Sequence, residues 1–483
     1  MKTKLMIAGV DVDASAGATF ERANPITGDT VTTAAAAGLE EAEQAVEAAQ
    51  TAFPEWSALA PSRRRELLNA AAQQILDDEE TFVSTMVAET GATPGWARHN
   101  VKLGAGMLRE AAAMVTQVRG DILPSDKSGY TSLIFRKPVG VCLAIAPWNA
   151  PIILGVRSIA MPLACGNTVV MKTSEQTPAT QMLIGHALRR AGVPAGVVNI
   201  LTVAEEDNPA VVEAMIAHPA VRRVNFTGSS RVGRIVGELA GRHLKPALLE
   251  LGGKAPFIVL PDANLNEAAR AAAFGAFMHQ GQICMSTERL IVHESVADAF
   301  VDRLLDRANA LTAADPATTP ATPLASLVDR VSAERVAALI ADAEQNGSKV
   351  RSGGKIAGTF LSATVVDGVT PAMRLYREES FGPIASIIRY GDGDDPVAIA
   401  NESDYGLASA IFTQDVTRAL AMAKRIDAGA CHINGPTVQD EAHVPLGGVK
   451  SSGFGRFGGM AGVHEFTDIC WVTIEEHGQT YPI

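Results

Sequence analysis

Cysteine is scarce in these 483 residues. There are five, at Cys142, Cys165, Cys284, Cys431 and Cys470, and none forms a C-x-x-C pair. So sparse and odd a set excludes a disulfide scaffold and reads as free thiols in a reducing compartment. No H-E-x-x-H and no Cys/His cluster at ligand spacing is present, so no metal site is expected. Basic charge is also short: 41 Lys+Arg stand against 53 Asp+Glu, a formal net charge of -12, with no basic block. Binding to nucleic acid or to anionic lipid through bulk charge is thereby disfavoured. No apolar run reaches the roughly 18 residues of a membrane helix. The longest are broken by Trp148-Asn149, Arg157 and Pro162. The first residues lack the apolar core and small-residue cleavage site of a secretory signal, and a cytoplasmic chain is expected. The 43 Gly and 25 Pro follow no period, which excludes collagen-like and low-complexity architectures.

What is present is apolar bulk, 47% of the chain, enough for two or three structural units. Short strands are expected in residues 1–35. Helical spacing follows over Glu40–Phe53, over a segment capped by Ser62, over another stopped by Gly91, and over Lys102–Val118. From Val139 the texture changes. Apolar runs at Val141–Ala146, Thr168–Lys172, Val197–Leu201, Arg223–Phe226 and Ala255–Leu260 alternate with helical stretches at Ile152–Ala164, Thr180–Ala191, Pro209–Ala217 and Val232–His243. Such alternation implies right-handed crossovers and parallel α/β sheets covered on both faces. Asn264 with Glu267 looks like a capping box for a helix running to about Gln280. Further alternation runs on to Ala408–Thr413. Glu465–Ile474 and Thr131–Arg136 read as strands unable to bury both faces alone, which suits an arm shared between subunits.

Several motifs carry chemistry. Gly453, Gly455 and Gly458 match G-x-G-x-x-G, but they follow no strand and read as a glycine-rich loop. Phe226-Thr-Gly-Ser-Ser-Arg-Val-Gly233 is better placed, since it leaves a strand and opens a helix whose N–H groups suit a phosphate; an ordinary capped turn is the alternative. Glu250 follows three apolar residues and precedes two glycines, which suits a partly desolvated general base or, more plainly, an exposed turn carboxylate. Cys284 falls in a loop after Gly281, flanked by Gln, Gly and Ser, where a nucleophile meets substrate. Cys142 and Cys165 sit in apolar elements and read as structural. Asn149, after the Val141 strand, offers an amide either to an oxyanion or to a helix cap.

Pro147-Trp-Asn149, Lys172-Thr-Ser-Glu175, Phe226–Gly233, Glu250-Leu-Gly-Gly, Gly281-Gln-Ile-Cys284, Glu379-Ser-Phe-Gly-Pro383 and Pro445–Gly453 occur in one order. Together they resemble the NAD(P)-dependent aldehyde dehydrogenase superfamily over essentially the whole chain. Asn434-Gly-Pro-Thr-Val-Gln-Asp-Glu-Ala-His resembles its bacterial aromatic branch, the vanillin, salicylaldehyde and benzaldehyde dehydrogenases.

The resemblance implies an α/β fold with a Rossmann-like cofactor domain (1–117 and 139–251), a second α/β catalytic domain (252–449) and a small β oligomerisation arm (118–138 and 464–483) in a homodimer or homotetramer. It implies that Cys284 attacks an aromatic aldehyde, that Asn149 and the Cys284 N–H hold the oxyanion, and that Glu250 activates water against the thioester. Trp148, Lys172, Glu175, Gly228, Ser229, Gly233, Leu251, Glu379 and Phe381 would serve the cofactor. A carboxylate at Glu175 favours NAD over NADP, while Arg231 leaves NADP use open. Thr173 stands where family members often have Pro.

On the helix after Pro151, Leu154, Arg157, Ser158 and Met161 share a face. Arg157 either makes a structural ion pair or borders the substrate and bonds a ring hydroxyl or carboxylate. Trp96, Ile283, Met285 and Val438 would wall an aryl ring, with core packing as the plainer role. Readings left open are a succinic-semialdehyde-like substrate, transfer to coenzyme A, and a non-catalytic nucleotide-binding protein on this fold.

Overall fold

Short apolar runs become buried strands in two mainly parallel sheets, each covered by helices. The structure, a computed structural model, describes residues 1–476 with Gly478, Tyr481 and Ile483. His477, Gln479, Thr480 and Pro482, within the expected 464–483 arm segment, lie outside the described residues.

The first sheet has eight strands, with a parallel centre in the order Ala247–Glu250, Val221–Thr227, Val141–Ile145, Thr168–Lys172, Val198–Leu201. Gly453–Phe454 closes one edge and the Leu5–Ile7/Val10–Val12 hairpin the other, all antiparallel. Successive residues of Val141–Ile145 face opposite layers: Cys142 and Ala144 enter the cluster under helices Pro61–Asp77, Pro94–Met114 and Pro151–Ala164, and Val141, Leu143 and Ile145 enter the cluster under Leu39–Ala58. Burial on both faces is why these strands read as unbroken apolar runs. From Val141–Ile145 the chain builds outward to one side, then returns to the other at Val221–Thr227. Between those two strands the order reverses, and in open α/β sheets a crevice opens there at the strands' carboxyl ends.

The second sheet has seven strands, in the order Lys349–Ser352, Thr364–Asp367, Ile384–Tyr390, Thr287–His293, Ala255–Val259, Ala408–Phe412, Ala430–Ile433, parallel except at the first pair. A third, three-stranded sheet of Asp121–Leu123, Tyr130–Pro138 and Thr467–Glu475 is antiparallel.

Two local expectations are corrected and one strand is added. Ser62 does not cap its helix, because Pro61 takes the first helical position and Ala60 the cap. Asn264 does cap Leu265–Phe277, accepting from the N–H groups of Asn266 and Glu267, but the helix stops at Phe277 rather than near Gln280. The strand Thr287–His293, central to the second sheet, had no sequence signal because it carries Glu288 and Arg289. No helix among the described residues is long and apolar enough to cross a membrane.

Candidate active site

Three loops meet at the switch point. After helix Leu265–Phe277 the chain turns through three left-handed residues, His279 (φ 49°), Gln280 (φ 56°) and Gly281 (φ 68°). A Cβ on Gly281 would lie 2.1 Å from the carbonyl oxygen of Gly382, so only glycine lets this loop pass. The turn delivers Cys284. Opposite it ends the strand Ala247–Glu250. A Cβ on Gly253 would lie 2.1 Å from the Cys284 carbonyl oxygen, so the glycines after Glu250 let the two backbones touch. The Cys284 thiol donates to Glu250 Oε1 at 3.3 Å. Asn149 follows Val141–Ile145. Its side chain caps nothing; Nδ2 donates to the Gln282 carbonyl at 2.9 Å, and its own carbonyl accepts from Trp96 Nε1 at 3.0 Å.

Burial dominates the electrostatics. It pushes the Glu250 carboxyl up to about 7, beside which the thiol, Arg157 and Asp440 act more weakly. Burial and then the Glu250 charge hold the Cys284 thiol well above its ordinary range. The resting pair is therefore a thiol beside a carboxylate able to take its proton near neutrality. Cys142 and Cys165 are buried in the core, and burial raises Cys165 to about 12, too high for a nucleophile.

Two cavities meet at this point, and Asn149, Leu154 and Cys284 line both. One, of about 220 Å³, is walled by Trp96, Ile153, Phe274, Ile283, Met285, Val438 and other apolar side chains. Trp96 is stiffened by stacking between His99 (5.5 Å) and His279 (4.9 Å). Arg157 and Asp440 supply the charge in this cavity and pair at 2.5 Å. The other cavity is a polar cleft of about 490 Å³ lined by Trp148, Thr227, Gly228, Ser229, Arg231, Glu250, Glu379, Phe381 and Tyr405. Ser229 caps the helix Ser230–Arg242 that opens onto it. Phe381 stands edge-on to Trp148 at 5.8 Å. Burial raises Glu379 to about 7, and its Oε1 accepts from the Gly253 N–H at 2.8 Å.

Residues 12–472 match the Aldehyde dehydrogenase family. The chain belongs to that family. Vanillin dehydrogenase of Pseudomonas sp. (strain HR199 / DSM 7063) is 56% identical over 480 residues, 99% of each chain. A salicylaldehyde dehydrogenase of Pseudomonas putida G7, solved in complex with salicylaldehyde, superposes with a TM-score of 0.98 at 46% identity over 100% of both chains. PnpE, solved in complex with nicotinamide adenine dinucleotide, superposes with a TM-score of 0.95 at 35% identity, covering 100% of this chain and 99% of that one.

In this aldehyde dehydrogenase, Cys284, Glu250 and Asn149 come together. Trp96, Arg157, Ile283, Met285 and Val438 all line the apolar cavity. Trp148, Gly228, Ser229, Glu379 and Phe381 line the cleft. Lys172 and Glu175 instead pair with each other at 3.3 Å beyond the strand Thr168–Lys172. Gly233 and Leu251 do not line the cleft but pack against each other, and a Cβ on Gly233 would meet Leu251 Cδ2 at 2.3 Å. Sequence reading missed His99, Phe274 and Tyr405, none of which stands in a motif, and gave no role to Asp440, which stands within Asn434–His443. It also missed a buried support: Lys254 Nζ pairs with Glu288 at 2.6 Å, and Glu288 accepts from the N–H groups of Ser380 and Phe381, fixing the loop that carries Glu379.

Proposed function

We propose that this enzyme oxidises aromatic aldehydes to carboxylic acids with NAD. One observation carries the reading: Cys284 stands where an apolar, ring-sized cavity opens into a polar cleft. An apolar cavity of about 150 Å³ is enough to bind benzene, so about 220 Å³ suits a substituted ring. The related enzymes named for vanillin and salicylaldehyde support the same substrate class.

The cleft fits a dinucleotide in volume and in chemistry. The helix N-terminus at Ser229, with Gly228, would hold the pyrophosphate. Trp148, Phe381 and Glu379 would hold the nicotinamide riboside, and Lys172 and Glu175 the adenine-side ribose. Gly233, packed on Leu251, would let the helix that begins at Ser230 lie close to the strand end beside the cleft. The Glu175 carboxylate disfavours a 2′-phosphate, and Arg231 on the cleft wall leaves NADP tolerated. Bound there, NAD would supply the acceptor for the hydride that the aldehyde carbon loses.

The protein's own groups do the rest. Glu250 takes the thiol proton as the Cys284 sulfur bonds the aldehyde carbon. The Asn149 amide and the Cys284 N–H stabilise the oxyanion. Glu250 then releases that proton to solvent, rotates off the sulfur and takes a proton from water as the oxygen adds to the thioester carbon; the acid leaves, and Glu250 returns its proton to the departing Cys284 sulfur. Arg157 is already neutralised by Asp440, so a distal carboxylate finds no free cation; this favours aryl aldehydes over succinic semialdehyde. Expected are aldehyde-dependent formation of reduced nicotinamide, its loss in Cys284→Ser, and kcat/KM for benzaldehyde above that for succinic semialdehyde by about tenfold or more. Turnover surviving in Cys284→Ser, or the reverse preference, would overturn the reading.

The three-stranded sheet exposes Ile122, Phe135, Ile469, Trp471 and Ile474. A second copy of the chain covers them, giving a homodimer or homotetramer. Five free cysteines fit a reducing, cytoplasmic setting.

A further inference from the structure

Helix Pro151–Ala164 runs along the apolar cavity from the reacting end. Ala150, Ile153, Leu154 and Arg157 line one wall, at the i, i+3, i+4, i+7 spacing of a single face. At about 1.5 Å rise per residue, Arg157 lies roughly 10 Å along the helix from Ala150, about the span of an aryl ring with its substituents. The carboxylate facing Arg157 there is Asp440. Arg157 Nη2 donates to Asp440 Oδ2 at 2.5 Å, while Asp440 Oδ1 is buried and accepts no hydrogen bond. A buried acceptor without a donor is costly, and a donor brought in by a ligand removes that cost.

We propose that Asp440 determines specificity within the aromatic-aldehyde reading, on which this inference rests, by accepting a hydrogen bond from a ring hydroxyl meta or para to the aldehyde. Paired with Arg157, the Asp440 carboxylate presents its free oxygen as an acceptor. It therefore selects an O–H over a methoxy group of similar size and repels a phenolate or carboxylate. An ortho hydroxyl stays beside the aldehyde, a ring's width away, and goes unread.

The test compares kcat/KM for 4-hydroxy-, 3-hydroxy-, 2-hydroxy- and 4-methoxybenzaldehyde and benzaldehyde itself, with NAD, in the wild type and in Asp440→Asn. In the Asn variant the amide oxygen stays on Arg157 and the NH2 replaces Oδ1, a donor from which hydroxyl and methoxy accept alike. The wild type is expected to prefer 4-hydroxy over 4-methoxy by about tenfold or more, and the 2-hydroxy isomer to gain nothing over benzaldehyde. In Asp440→Asn the hydroxy-to-methoxy ratio should collapse to within about threefold. Each ratio is taken within one enzyme, so a general loss of activity cancels. If the Asn variant does not fold, Arg157→Met with Asp440→Leu removes both charges and reads the same ratio. A wild-type ratio near one, or a ratio unchanged in the variants, overturns the proposal while the aromatic reading stands. Failure of the wild type on every aryl aldehyde overturns both.

Discussion

At the scale of single residues, the chemistry turns on where protons sit. Glu250 and Glu379 are each raised from 4.5 to about 7 by burial, so both are protonated in the folded protein over a range where the unfolded chain has released those protons. The stability they add is full below about pH 4.5 and is lost as pH rises through 7. Activity runs the other way, because only ionised Glu250 accepts the thiol proton at 3.3 Å. We expect kcat/KM to rise with pH through a midpoint near 7, and thermal stability to fall between pH 5 and pH 8. In Glu250→Gln the acid limb should vanish and the melting temperature should depend less on pH. The same variant should slow both the first-turnover burst and the steady state, the latter more, because Glu250 serves both steps. A Gln variant that kept the acid limb would remove Glu250 from its assigned role. Cys284 and Glu250 were legible in the sequence because a loop after Gly281 and a glycine pair after an apolar strand leave chemical residues without a packing role. Asp440 was not, since one Asp in a polar loop looks like any solvated turn until Arg157 is seen beside it.

At the scale of elements, alternation of apolar runs and helical spacing was legible because strands covered on both faces must be apolar throughout. It failed at Thr287–His293, where charge is buried but answered. Glu288 meets Lys254, and Arg289 donates to the carbonyls of Ile399 and Ala400 while lying 4.4 Å from the Tyr376 ring centroid. Caps were misread for a related reason: a side chain's partner is set by tertiary approach rather than by neighbours in sequence. Glu89 shows how far that reaches. From the end of helix Glu79–Thr90 it accepts from the N–H groups of Ala179 and Thr180 at the start of helix Pro178–Arg190, from the Thr180 hydroxyl, and from Thr32 in strand Thr30–Ala35. Glu89→Ala would leave these donors buried and unpaired, and should lower stability by about 3 kcal/mol or more. Thr32→Val removes one donor and should cost about 1 kcal/mol. Urea midpoints of the two variants measure the difference; equal midpoints would show that Glu89 does not tie the three elements together.

At the scale of the whole molecule, the site belongs to no one segment. The reversal of strand order in the first sheet opens the crevice, and the loop before Thr287–His293 of the second sheet brings the nucleophile to it. The same scale explains the arm. Strand pairing places Ile134 opposite Trp471 and Leu133 opposite Val472, so neighbouring pairs point to opposite faces. Ile469 and Trp471 are 62% and 68% exposed on one face, and Phe135 and Ile474 are 44% and 51% exposed on the other. A sheet needs one apolar face for its own core; two exposed apolar faces are a cost unless another chain covers them. Light scattering on the purified wild type should therefore give a multiple of 50.6 kDa. Trp471→Asp introduces a charge at the centre of one face and Ile474→Asp at the other, so each variant interrupts a different contact. If both faces are covered, the two variants dissociate to different smaller species, or both to the single chain, with the apolar cavity around Cys284 left in place. A wild type that elutes as a single 50.6 kDa chain at micromolar concentration would mean that the arm's apolar faces are tolerated in water, and the pairing of arms would have to be abandoned.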